Sequence, residues 1–257
     1  MSLFSNFTTS DGNIFTPSNI AVLMKTSANV KISGGCYLHG IVAGILSIAP
    51  AIDAQDYLTQ AALHSTRVHM AVMAQLVMAC TYLAVGVLLY PAVKKYSPGM
   101  AAGFLSFRIC AVLFACIGSF LLFPILELSK AFVNNPSHAG FSAEMVGNAC
   151  RVCRDYINHV LTVWALCIGN ILLYLLLFKA KLVPRWLSGW GIAGNTISVL
   201  ASVLVHFHAL EIISVPYISL NMPTAVHDIA MGLWLLIKGF LQKDATRPGS
   251  GNRITNL

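Results

Sequence analysis

The chain has 257 residues, of which 57% are hydrophobic and 10% charged, with a mean hydropathy of +0.74. A soluble domain carries about 25% charged residues, so this composition cannot coat a water-exposed globule and excludes a soluble enzyme. It also excludes a disordered chain, because apolar surface is abundant. The net charge of +7 does not point to nucleic acid, since the basic residues sit in short clusters between apolar runs, as they do beside a membrane.

The first two dozen residues, Met1 to Met24, show no basic segment followed by an apolar one, so the N-terminus is expected to be retained. Ile14–Met24 is apolar but short and carries Pro17, which predicts at most an interfacial piece within an N-terminal segment 1–31. A bilayer crossing needs about 20 apolar residues. Six stretches meet that length: Ile32–Ile52, Val68–Tyr90, Met100–Leu126, Tyr156–Phe178, Gly189–Leu210 and Pro223–Leu241. The expected fold is therefore all-α, a polytopic integral membrane bundle of about six transmembrane helices over residues 32–241, with a flexible tail 242–257.

In that layout Lys25, Lys31, Lys94, Lys95, Lys179, Lys181, Arg185, Lys238, Lys243, Arg247 and Arg253, eleven of the 16 basic residues, fall on one side. The positive-inside rule makes that side cytoplasmic, with both termini there. The acids Asp53, Asp56, Glu127, Glu144, Asp155, Glu211 and Asp228 fall opposite. Between the third and fourth spans, Glu127–Asn148 forms the longest connection and is read as a loop able to act as a lid. No internal repeat and no mid-membrane interruption is evident, which argues against a transporter.

Three stretches together resemble one family. Phe107-Arg108 opens an apolar span ending Leu126-Glu127-Leu128-Ser129. The second is Leu177-Phe178-Lys179-Ala180-Lys181-Leu182-Val183-Pro184-Arg185-Trp186-Leu187-Ser188-Gly189. The third is Pro223-Thr224-Ala225-Val226-His227-Asp228, followed by Gly232-Leu233-Trp234-Leu235-Leu236-Ile237-Lys238-Gly239. Over residues 30–241 the chain resembles the bacterial membrane-protein family called domain of unknown function 4386. The resemblance implies a polytopic helical bundle in an inner (plasma) membrane, and it carries no activity to transfer. Its relatives tend to place Glu where this chain has the shorter Asp228.

Ionisable groups at bilayer depth are costly and mark candidate sites. Seven histidines (His64, His69, His138, His159, His206, His208 and His227) fall in the outer half, and His39 toward the inside. Arg151, Asp155 and His159 are four apart and are expected on one helix face. Asn195, Ser198, Ser202 and His206 form a polar stripe, His208 shares a face with Glu211, and His227-Asp228 are expected to open the sixth helix at its positive dipole end. These residues suggest an outward-opening cavity doing acid–base chemistry on a lipid- or isoprenoid-like substrate. Its candidate proton carriers are Asp155, His159, His206, Glu211, His227 and Asp228. Its candidate substrate contacts are Arg108, Arg151, Asn195, Ser202 and Trp164.

A transporter or a non-catalytic accessory subunit is the alternative, and a His-ligated metal or haem protein, with His159 and His206 the best pair, the third. No H-x-x-E-H or H-E-x-x-H signature is present, which counts against the metal reading, and the cofactor is unknown. Arg108 either snorkels to inner phosphates or faces the bundle, pairing with an anionic substrate or an acceptor such as Asn170. Cys150-x-x-Cys153, read at the start of the fourth helix beside Arg151 and Arg154, is a possible redox pair. Membrane lipids and a lipophilic small molecule are the expected partners, with oligomerisation open through the small-residue step Gly40/Gly44.

Overall fold

The computed structural model describes residues 17–212 and 214–241, with side chains described for 26–135, 143–212 and 214–241. The calls on Asn134–Gly140 side chains, including His138, and on the tail 242–257 thus lie wholly or partly outside the described residues. Among the described residues ten α-helices follow one another: α1 Pro17–Leu46, α2 Pro50–Asp53, α3 Tyr57–Leu63, α4 Ser65–Lys94, α5 Pro98–Phe120, α6 Leu122–Asn134, α7 Pro136–Tyr156, α8 Thr162–Ala180, α9 Arg185–His206 and α10 Val215–Ile237. A π turn, Ile157–Leu161, joins α7 to α8. Among the described residues there is no strand.

Prolines set many of the boundaries. Pro50, Pro98, Pro136 and Pro216 stand in the first turns of their helices, where the missing N–H would be unpaired anyway. Pro17 does the same for α1, which runs unbroken to Leu46; the expected interfacial piece is the first turns of a 30-residue helix. Pro124 lacks the N–H that would bond the Phe120 carbonyl, and α5 ends at Phe120. Pro91 and Pro223 lie inside helices, which membrane helices tolerate. α10 therefore starts eight residues before the expected Pro223, capped by the Ser214 hydroxyl, which accepts from the Tyr217 N–H at 3.4 Å.

Among the described residues five helical rods are long and apolar enough to cross a membrane: Ser65–Lys94, Pro98–Asn134, Ala143–Ala180, Arg185–His206 and Val215–Ile237. The count of six drops to five by this measure because Asn29, Lys31, His39 and four glycines dilute α1. Yet α1 packs along both α4 and α10, and the six long rods close a ring in the order α1, α4, α5, α8, α9, α10 and back to α1. Neighbours run antiparallel. Gly40 faces Thr81 and Gly44 faces Met78; Gly191 faces His227 and Gly194 faces Thr224. Small residues at these crossings let backbones approach, as lipid-embedded helices require. The Gly40/Gly44 step is thus occupied by α4 of the same chain.

Apolar side chains fill the interior and also cover the outside. Ile45, Leu46, Met70, Leu113, Leu200 and Val226 point outward and are exposed, while Gln75, Arg108, Asn170, Asn195, Ser202 and His227 are buried. Lipid wants apolar surface, so polar side chains are left to pair with each other inside.

At the end of the ring where α1 stops, α2, α3, α6 and the first half of α7 form a cap around Ile52, Tyr57, Leu58, Ile125 and Leu126. The expected lid loop Glu127–Asn148 is instead helical, turning only at Asn135. Tyr57 donates to the Glu144 carbonyl at 3.2 Å and lies under the Arg151 guanidinium, 4.4 Å from its ring centre. Burial pushes the Tyr57 phenol up, against the pull of the Arg151 charge.

Candidate functional site

Two adjoining cavities are lined by residues from several helices of the ring. The lower, of about 300 Å³, is lined from α1, α4, α5, α8 and α10 by residues including Tyr37, Tyr82, Arg108, Asn170 and Asp228. The upper, of about 420 Å³, lies under the cap and is lined by Asp53, Gln75, Arg154, Asn158, His159 and Tyr217 among others. Gly44, Ile48, Met78, Tyr82 and Leu166 belong to both walls and form the neck between them.

The lower cavity is organised around Arg108, only 2% exposed. Its Nη2 donates to Asn170 Oδ1 at 2.7 Å and to the Tyr37 hydroxyl at 3.2 Å. Asn170 donates in turn to Asn195 Oδ1 at 3.1 Å, and Asn195 to the Gly191 carbonyl at 2.7 Å. This chain of amides turns the Asn170 oxygen toward the guanidinium. Of the two expectations for Arg108, the structure selects the inward one, with Asn170 as acceptor. The Tyr37 and Tyr174 hydroxyls lie 3.5 Å apart, and Tyr174 donates to Asp228 at 3.5 Å. His227 is fully buried, with Nε2 at 3.1 Å from the Leu187 carbonyl and Nδ1 at 3.5 Å from Asp228. Both residues sit mid-helix in α10, not at its dipole end.

In the upper cavity the π turn decides the register. The Thr162 N–H reaches back five residues to the Ile157 carbonyl, which also accepts from the Thr162 hydroxyl at 2.8 Å. His159 lies inside this turn, whose backbone departs from plain helical spacing. Asn158 lies against Gly118 of α5, where only hydrogen fits, and accepts from Gln75 Nε2 at 2.9 Å. His159 Nδ1 stands 3.2 Å from the Tyr217 hydroxyl, and its carbonyl accepts from Ser202 at 2.9 Å. Arg154 bridges Asp53 at 2.5 Å and Asp155 at 2.6 Å.

The acid–base candidates are therefore dispersed. Asp228 lines the lower cavity, His159 the upper, and Asp155 is held by Arg154. His206 is exposed, its ring 6.1 Å from Tyr156 and 6.4 Å from Trp164; Glu211 is exposed beyond the end of α9. The indole N–H of Trp164 has no partner. Arg151 serves the cap through Tyr57 and the Asp53 carbonyl, at 3.5 Å. Cys150 and Cys153 lie well inside α7, not at a helix start. Among the described residues no three His, Cys, Asp or Glu side chains come together as a metal-holding group.

Residues 32–239 match the family described as Domain of unknown function (DUF4386). The chain belongs to this family. Comparison with curated proteins and with solved structures gives no match. Within this family member, the residues that sequence reasoning missed are Tyr37, Tyr82, Tyr174, Tyr217 and Gln75, and Arg154 is read there only as a neighbour of Cys150 and Cys153. A tyrosine in the middle of an apolar span is itself a signal, since its hydroxyl needs a partner when buried.

Proposed function

We propose that this membrane protein holds a lipophilic small molecule inside its helix ring. The observation that supports the reading is the pair of stacked cavities joined by a common neck. Their sizes fit the range of about 300–1,000 Å³ for small-molecule sites, with mainly apolar walls and a few fixed polar groups. Movement of the molecule between the two cavities is a second reading, favoured by the π turn beside the upper cavity. Irregular backbone at membrane depth is tolerated where it lines a cavity. Acid–base turnover has less support, because the six groups offered for it do not face one space. With basic connectors inside, the upper cavity opens toward the outer leaflet of a plasma (inner) membrane and both termini are cytoplasmic.

Native mass spectrometry of the protein released from mild detergent should reveal a small lipophilic adduct. Leu166→Trp, filling the neck, should lower its occupancy by about tenfold. Leu200→Trp, on the exposed side of α9, should not. No adduct in either chain, and no binding of added amphiphiles, would sink the reading.

Topology has its own check. In a background lacking native cysteines, Ala28→Cys and Tyr96→Cys should label from the cytoplasm and Gln55→Cys from the far side. Labelling of Ala28→Cys and Gln55→Cys from one side would remove α1 from the crossings.

A further inference from the structure

We infer that the lower cavity is an anion-recognition site, in which Arg108 takes the carboxylate or phosphate head of a single-chain amphiphile. The inference rests on the chamber reading above and names the class of molecule held.

Arg108 is always charged, and a guanidinium at bilayer depth is expensive unless an anion or a dense set of acceptors meets it. Here the acceptors are few and neutral: one amide oxygen and one phenol, with the rings of Tyr37, Tyr82 and Phe104 at 5.6, 5.9 and 5.4 Å from the guanidinium carbon. Its Nε is buried and has no partner, and among the described residues no carboxylate comes within ion-pair distance of it. Asp228 shares the cavity but meets Tyr174 and His227, so the two tyrosine hydroxyls stand between acid and base. The result is a charged fork in the cavity wall with one donor unpartnered, its orientation fixed by the Asn170–Asn195 chain. A bidentate oxyanion completes that geometry.

The walls indicate what the anion is attached to. Ile41, Ile45, Ile48 and Met78 face the same space as Arg108. Ile45 and Ile48 are 63% and 58% exposed on the outer surface of the bundle, so the cavity reaches the lipid side of α1. A small soluble anion would leave that apolar side unfilled and would have to leave water to reach it. An amphiphile arriving from the bilayer fills both halves.

The test uses the full chain in detergent, with calorimetry and thermal stability as readouts. The probes are laurate, dodecyl phosphate, dodecanol, acetate and inorganic phosphate. Laurate and dodecyl phosphate should bind and raise the melting temperature, with dodecanol at least about tenfold weaker, because the charge-assisted fork is lost. Acetate and inorganic phosphate should give no shift at the same concentration; either binding as tightly as laurate would overturn the amphiphile. Arg108→Gln should weaken laurate to the level of dodecanol while leaving dodecanol unchanged. Arg108→Lys, which keeps the charge without the fork, should fall between, and it carries the test if the glutamine chain fails to fold. Equal binding of laurate and dodecanol, or laurate affinity independent of residue 108, would overturn the inference while the chamber stands. Failure of every probe would remove the chamber as well.

Discussion

Gly34→Leu should unseat α1 from the ring. A Cβ at Gly34 would lie 2.5 Å from the Leu236 nitrogen and 2.6 Å from the Gly232 oxygen, both backbone atoms of α10 that cannot turn aside. Overpacking a well-packed core costs about 1–3 kcal/mol, and here the backbone offers no relief, so a loss near about 3 kcal/mol is expected. The displacement carries Tyr37 with it, three residues along the same helix, and Arg108 then loses its phenol acceptor. Gly35→Leu is the control, because nothing lies within 4 Å of its Cβ position. Chemical denaturation in detergent should separate the two chains. A Gly34→Leu protein within about 0.5 kcal/mol of the wild type would show that α1 does not close the ring through this crossing.

Arg154→Ala should loosen the cap over the upper cavity. The Arg154 side chain is 8% exposed and ties Asp53, at the end of α2, to Asp155 near the end of α7. Breaking a buried pair by removing one partner costs about 3–5 kcal/mol; both carboxylates here are 28% exposed, so the lower figure of about 3 kcal/mol applies. Amide exchange over residues 50–64 should rise, since that segment then depends on its apolar packing alone. Adding Asp53→Asn to Arg154→Ala should recover part of the loss, because the second change removes a stranded charge. Unchanged exchange over 50–64 would mean that the arginine does not hold the cap.

Some of the site was visible in the amino-acid order. Arg108 stands in an apolar span, where an unpaired guanidinium is costly, and Asn170 was named as an acceptor it could reach. That pair forms. Asp155, His159, His206 and Asp228 do not all line one cavity: His159 lines the upper, Asp228 the lower, and His206 is exposed. The spacing rule that places Arg151, Asp155 and His159 on one face assumes an uninterrupted α-helix, whereas His159 lies in the π turn and meets Tyr217. Asp228 was placed at a helix start because Pro223 looked like a boundary, whereas Ser214 and Pro216 begin α10 earlier and carry Asp228 to mid-bundle. The Glu127–Asn148 stretch is polar enough to read as loop, yet it forms α6, which packs onto α3, and the first half of α7, which packs onto α6.

Hydropathy and the placement of charge were enough to determine an all-α membrane bundle and the approximate limits of most of its long helices. Burial of apolar surface in lipid acts on each segment separately, so it is written in local composition. Which polar groups meet depends on how the rods close into a ring. That was decided by contacts between residues far apart in sequence, such as Gly34 with Gly232, Tyr37 with Arg108, and Asp53 with Arg154. No local pattern encodes those distances, because they arise only when backbones approach closely and buried polar atoms must find partners across helices.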